Sequence, residues 1–75
     1  MAQSMDVLAP VPGLVANVAV AAGATVAAGD PVVTLQAMKM EIIVESERGG
    51  TVEAVLVREG EEVDIGAVLA RVRTA

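Results

Sequence analysis

Lys39 is the only lysine of the chain, and it stands between two methionines in the run Ala37-Met38-Lys39-Met40. An amine that another enzyme is to modify must be accessible, held in one geometry and free of competition from other amines. Here only the α-amino group competes. The flanking thioethers are flexible and polarizable, suited to adaptable apolar contact with a partner surface. The plain alternatives are that a turn lysine is merely solvated and that one of the methionines fills the core. No other chemistry has residues to stand on. The chain has neither histidine nor cysteine, so a Ser/His/Asp set is impossible, and it carries no phosphate-cradling glycine loop ahead of a helix and no metal motif. Glu59, Glu61, Glu62 and Asp64 are an acidic group of the kind that can bind a hard cation, although a solvated turn is the plainer reading.

The elements that must hold Lys39 are constrained by composition. A chain of 75 residues without cysteine has room for one domain held by its own apolar core, and at this length folding buries only about 60% of the surface of the unfolded chain. A deep catalytic pocket does not fit that volume. With no Phe, Tyr or Trp, the core is left to Val, Ile, Leu, Ala and Met, and the abundance of β-branched valine favours pleated sheet over helix. A net charge of −5 and a pI near 4.4 exclude a nucleic-acid binder, which needs clustered cations to displace phosphate counterions and aromatics on which bases stack. The lack of cysteine suits a reducing cytoplasm, the expected location.

Shifting the sequence by 37 residues, so that Gly13 falls on Gly50, aligns 13–36 with 50–73 without a gap. Gly23 then coincides with Gly60 and Gly29 with Gly66, while Val15, Val18, Val20 and Val26 fall on Val52, Val55, Val57 and Val63. Each half is one supersecondary unit that must bury its apolar face against its twin, which implies a pseudo-twofold axis. The Val-x-x-Val-x-Val spacing breaks alternation once per half and predicts a β-bulge near Ala16 and Asn17 and again near Glu53 and Ala54. The paired glycines six residues apart predict turns with positive φ.

The repeat also settles the uncharged stretch 7–29, whose length would suit a membrane span. Ala21 and Ala22 align with Arg58 and Glu59, and Ala24 and Thr25 with Glu61 and Glu62; those positions face water, so no span is expected. With further extended segments at 6–9, 32–37 and 41–45, the expected fold is all-β: a flattened barrel or sandwich of about eight short strands and no helix. Residues 1–5 are expected to be a flexible tail and 6–74 a single domain, with Lys39 at the tip of a hairpin over 37–41. The segment 37–49 has no counterpart within the repeat. The positions equivalent to Lys39 fall near Ala2 and just past Ala75, so the two chain ends are expected to meet at the pole opposite the hairpin.

These features together resemble the biotin/lipoyl attachment family, in its biotin carboxyl carrier or biotinyl form. The resemblance covers 7–72. It is carried by Ala9-Pro10-Val11-Pro12-Gly13, Gly23 and Gly29, Ala37-Met38-Lys39-Met40-Glu41, Gly50-Thr51-Val52, Val57-Arg58-Glu59-Gly60-Glu61-Glu62-Val63 and Gly66. The gapless repeat leaves no room for the protruding thumb of some carriers, so the chain is similar to the thumbless kind. Two positions depart from the family's pattern: Gln36 stands where glutamate is usual, which removes a charge beside the hairpin, and Ser46-Glu47-Arg48-Gly49 replaces an Ala-Pro pair, which predicts a looser entry to the second half.

The resemblance implies that a biotin protein ligase makes biotinyl-adenylate and that the uncharged Lys39 amine attacks it, forming an amide. Biotin, joined covalently to Lys39 and flanked by Ala37, Met38 and Met40, would shuttle a carboxyl group from a biotin carboxylase to a carboxyltransferase. The chain itself is then a non-catalytic carrier component of an acetyl-CoA or other acyl-CoA, pyruvate or urea carboxylase. Two alternatives differ in kind. A lipoyl carrier shares the fold but typically has an acidic residue before the lysine and alanine after it, whereas here methionine stands on both sides. An unmodified structural or adaptor barrel would leave Lys39 simply solvated.

Overall fold

The computed structural model describes residues 3–74. Its strands are β1 (Gln3–Leu8), β2 (Gly13–Val18), β3 (Thr25–Val26), β4 (Pro31–Ala37), β5 (Met40–Glu45), β6 (Gly50–Val55), β7 (Glu62–Val63) and β8 (Val68–Thr74). They form two four-stranded sheets, ordered β1-β8-β6-β3 and β5-β4-β2-β7. Every pairing is antiparallel. The molecule is elongated, 40 × 17 × 17 Å. No helix of the described residues is long and apolar enough to cross a membrane.

The 37-residue repeat is the plan of the whole fold. Adding 37 to the bounds of β1, β2, β3 and β4 gives those of β5, β6, β7 and β8. Register obeys the same rule: Leu14↔Gln36 becomes Thr51↔Arg73, and Ala37↔Met40 is matched by Thr74↔Gln3. Two expectations are corrected by this. The stretch after Ala37 does have an internal counterpart, because β5 is the repeat equivalent of β1. Their sequences, Met-Glu-Ile-Ile-Val-Glu and Gln-Ser-Met-Asp-Val-Leu, share one aligned residue, yet their burial patterns are the same. What repeats is the inward-facing valine (Val7, Val44) and not the residues around it. The domain, moreover, begins before residue 6. Gln3, Ser4 and Met5 are not tail but the start of β1, paired with Thr74, Arg73 and Val72, because the last strand would otherwise present an unpaired edge. Met1 and Ala2, the rest of the expected tail, lie outside the described residues.

Bulges occur where alternation breaks, between Val15 and Asn17 and between Val52 and Ala54. Each leaves one residue unpaired and so returns the following side chains to their proper face. Gly23, Gly29, Gly60 and Gly66 all have φ between 83° and 92°, a conformation that costs other residues strain and glycine none.

The two halves are stitched together through backbone. Gly23 N donates to Val52 O and Val52 N to Ala24 O, while Gly60 N donates to Val15 O and Val15 N to Glu61 O, all at 2.8 Å. Each half therefore ties its glycine turn to the other half's bulged strand. The entry to the second half is not loose. Ser46 is buried, its N–H donates to Asp30 O, its carbonyl accepts from Gly29 N, and its hydroxyl donates to Arg48 O at 2.6 Å. Ala9, its counterpart, makes the same two backbone bonds with Ala67 and Gly66. The serine hydroxyl supplies locally what a proline would supply by stiffness.

Between the sheets lies a core of Val, Leu and Ala, with Val32, Val33, Leu35, Leu69, Ala70 and Val72 inaccessible to solvent. Residues related by the repeat exchange size: Val32 corresponds to Leu69 and Leu35 to Val72. Each half contributes one Leu and one Val at these positions, so the summed volume is the same on both sides of the axis, as a close-packed interior requires.

Candidate functional site: a lysine hairpin with an open cleft beside it

Strands β4 and β5 stay paired up to Ala37↔Met40 and are joined by Met38 and Lys39 alone. Both connecting residues have positive φ, 50° and 66°, which is the backbone of a type I′ hairpin turn. That turn matches the right-handed twist of its strands and normally takes Asn-Gly. Here it is made from two residues with long side chains. Because no third residue intervenes, the Lys39 side chain leaves a backbone fixed directly by the ladder.

Met38 is 95% exposed and Met40 65%, so neither methionine fills the core. Lys39 is exposed, and among the described residues it takes part in no ion pair. The ion pairs among the described residues, Arg71 with Asp6 and Arg73 with Glu53, belong to the β1-β8-β6-β3 sheet. The described residues begin and end at Gln3↔Thr74 in that same sheet, at the place related to Ala37↔Met40 by the repeat, whereas the hairpin closes the other sheet. Met1, Ala2 and Ala75, where the chain ends were expected to meet, lie outside the described residues.

Behind the hairpin, β2 comes unusually close. A Cβ on Gly13 would stand 2.8 Å from Gln36 O and 3.3 Å from the Ala37 Cβ, so glycine is what lets β2 support the base of the turn. Leu14 pairs with both Gln36 and Glu62, and Gln36 with Glu41. One row across the sheet thus reads Glu62, Leu14, Gln36, Glu41. Along it an open cleft of about 550 Å³ is lined by apolar Pro12, Leu14, Met38 and Val63 together with polar Gln36, Glu62 and Asp64. Pro12, Gly13, Met38 and Val63 each stand out along the sequence, but their nearness to one another and to Leu14 depends on strand pairing across the sheet and is not legible there.

The acidic group is divided by the fold. Glu61 accepts from the Arg58 N–H at 3.2 Å and so closes its own turn, whereas Glu62 and Asp64 line the cleft. No group of three or more His, Cys, Asp or Glu among the described residues could hold a metal ion.

A rigid two-sheet β domain that displays one free lysine at the tip of a two-residue hairpin is an attachment domain in form. The sequence profile of the family described as "Biotin-requiring enzyme" matches residues 4–72, and the chain belongs to that family, the biotin/lipoyl family. It is 41% identical over 64 residues to a pyruvate carboxylase of Aspergillus niger, covering 85% of this chain and 5% of that protein. It is also 45% identical over 67 residues to the biotin-dependent acyl-coenzyme A carboxylase alpha3 subunit of Mycobacterium leprae, covering 89% and 11%. Among solved structures, the urea carboxylase of Kluyveromyces lactis superposes with a TM-score of 0.88 at 28% identity, over 93% of this chain and 6% of that one. A single-chain, multi-domain long-chain acyl-CoA carboxylase superposes at 0.84 with 33% identity, over 95% and 7%. The chain thus spans about a tenth or less of the proteins it matches.

Proposed function

We propose that this domain is a biotin carboxyl carrier and that Lys39 is the residue to which biotin is joined by an amide. The observation that carries the proposal is the position of the only lysine, at the exposed tip of a hairpin whose two connecting residues, Met38 and Lys39, are fixed at positive φ. A rigid display of this kind suits acyl transfer. The uncharged Nζ attacks the activated carboxyl of biotin held by a biotin protein ligase, the activating group leaves, and the amine gives up its proton. The positive charge of Lys39 is lost with it, which takes the formal net charge from −5 to −6.

When bound, biotin supplies a ureido nitrogen that accepts a carboxyl group at one enzyme site and releases it at another. The chain's own residues supply placement. A hairpin with no slack in its backbone confines the arm to a small volume, so that transfer at a biotin carboxylase or a carboxyltransferase proceeds at raised effective concentration. Met38 and Met40 present mobile apolar contacts on either side of the arm, and the cleft beside Met38 offers partners a mixed surface of Leu14 and Val63 with Gln36, Glu62 and Asp64. An acyl-CoA, pyruvate or urea carboxylase is the enzyme class in which such a carrier serves.

The deciding measurement is the intact mass of the chain after co-expression with a biotin protein ligase, followed by fragmentation to locate the adduct. The expected result is a gain of one biotin less one water on Lys39, absent in Lys39→Ala. An unmodified chain beside a ligase shown active on another substrate would overturn the assignment, and a lipoyl ligase would be tried next.

A further inference from the structure

Two-electron oxidants have few targets in this chain. It contains no cysteine, histidine, tryptophan or tyrosine, and four methionines. The thioether is then the only side chain that a hydroperoxide oxidises readily. Among the described residues the methionines divide sharply: Met5 is half-buried and packs against the core, whereas Met38 is 95% and Met40 65% exposed. The two open sulfurs are the ones beside Lys39.

We propose that Met38 and Met40 form a peroxide-sensitive modification site that controls acceptance of the acyl group at Lys39. In the reaction a lone pair on methionine Sδ attacks one oxygen of hydrogen peroxide, the S–O bond forms as the O–O bond breaks, and water leaves after proton transfer. Sulfur loses two electrons and the peroxide gains them. The product sulfoxide is polar and chiral where the thioether was apolar and adaptable. Met38 in the turn and Met40 at the start of β5 are both exposed, so oxidation leaves the core intact and changes only what a partner meets at the hairpin. A methionine sulfoxide reductase with a dithiol as reductant reverses the change.

The site itself follows from exposure and composition; its effect on acylation rests on the carrier reading above. The test uses the whole unloaded chain, because the thioether of bound biotin would also take up oxygen. Peptide mapping during peroxide treatment should show one oxygen added at Met38 and Met40 several times faster than at Met5. Oxidation of Met5 first, or in step with them, would overturn the site. Biotinylation by a purified ligase should then fall about tenfold, as expected for loss of about 1.4 kcal/mol of contact, and recover after treatment with reductases for both sulfoxide epimers. Met38→Leu/Met40→Leu, scored against its own untreated rate, should no longer respond to peroxide, while Met5→Leu should respond as the parent does. Equal rates before and after oxidation would overturn the switch. Refusal of the untreated chain by an active ligase would instead sink the carrier reading and the switch with it, leaving the mapping to decide the site.

Discussion

Met38 and Lys39 lie in the left-handed region of backbone space, where the Cβ crowds the following carbonyl at a cost of roughly 1–2 kcal/mol per residue. The ladder from Pro31↔Glu45 to Ala37↔Met40 holds them there, and in return the lysine is displayed on a turn with almost no freedom. Replacing Met38 by glycine removes strain but loosens the unfolded chain, so Met38→Gly should raise stability by a net ~0.5–1 kcal/mol. It should also lower the rate of biotin acceptance. Urea unfolding checks the first effect through a higher midpoint at unchanged slope, and a ligase assay checks the second. A lower midpoint would mean that the methionine side chain contributes more to the hairpin than its conformation costs. At this scale the sequence was informative about identity and about the hairpin over 37–41, but not about the conformation of its turn. The lone lysine and its methionine flanks are plain to read, whereas Met-Lys is not a pair that announces a type I′ turn.

The short strands derive their order from a few close approaches. Gly50 is where β6 passes β8: a Cβ there would collide with the Arg73 carbonyl oxygen and stand 3.0 Å from Val72 Cγ1. Gly49, one residue earlier, has only ordinary contacts, the nearest being Val26 O at 3.4 Å. Gly50→Ala should therefore cost about 1–3 kcal/mol, as overpacking does, while Gly49→Ala should stay within about 0.5 kcal/mol of the parent. Equal losses in denaturant unfolding would show that the approach of β6 to β8 is not what glycine serves. Elements were legible where residue identity repeats, as in β2 and β6 with their bulges and glycine turns. At β1 only the extended part from Asp6 was legible, because its likeness to β5 lies in burial and in pairing with the corresponding strand (β8 for β1, β4 for β5), neither of which one strand's sequence displays.

Seen whole, the molecule is two halves exchanging strands' backbone bonds around one core, with its ends fastened by polar contacts. Ser4 from β1 donates to Glu53 Oε1 at 2.6 Å, and Arg73 Nε from β8 donates to the same oxygen at 3.2 Å. The Ser4 hydrogen bond first, and the Arg73 contact second, hold the Glu53 carboxyl below the ordinary glutamate value of 4.5. A carboxyl depressed in the folded state contributes stability that is complete above its unfolded value and is lost as pH falls through its lower folded value. The stability difference between the parent and Glu53→Gln should therefore be constant above about pH 5.5 and shrink below about 4.5. Urea midpoints measured from neutral pH into acid test this, and parallel curves down to about pH 3 would show that the carboxylate contributes nothing.

The sequence by itself determined the all-β class, the doubled plan, both bulges and the candidate attachment residue, Lys39. These are local or repeated properties: β-branched content, glycine spacing, and a lysine without rivals can be read along a chain. Tertiary structure decided the rest. It showed that β1 begins at Gln3, that Ser46 anchors the crossing between halves, that neither Met38 nor Met40 is buried, and that Pro12, Leu14 and Val63 gather beside Met38. Each of these depends on which strands lie side by side. That choice is made by close packing of the Val and Leu core across the axis between the halves, where residues 37 apart in sequence become equivalent in space.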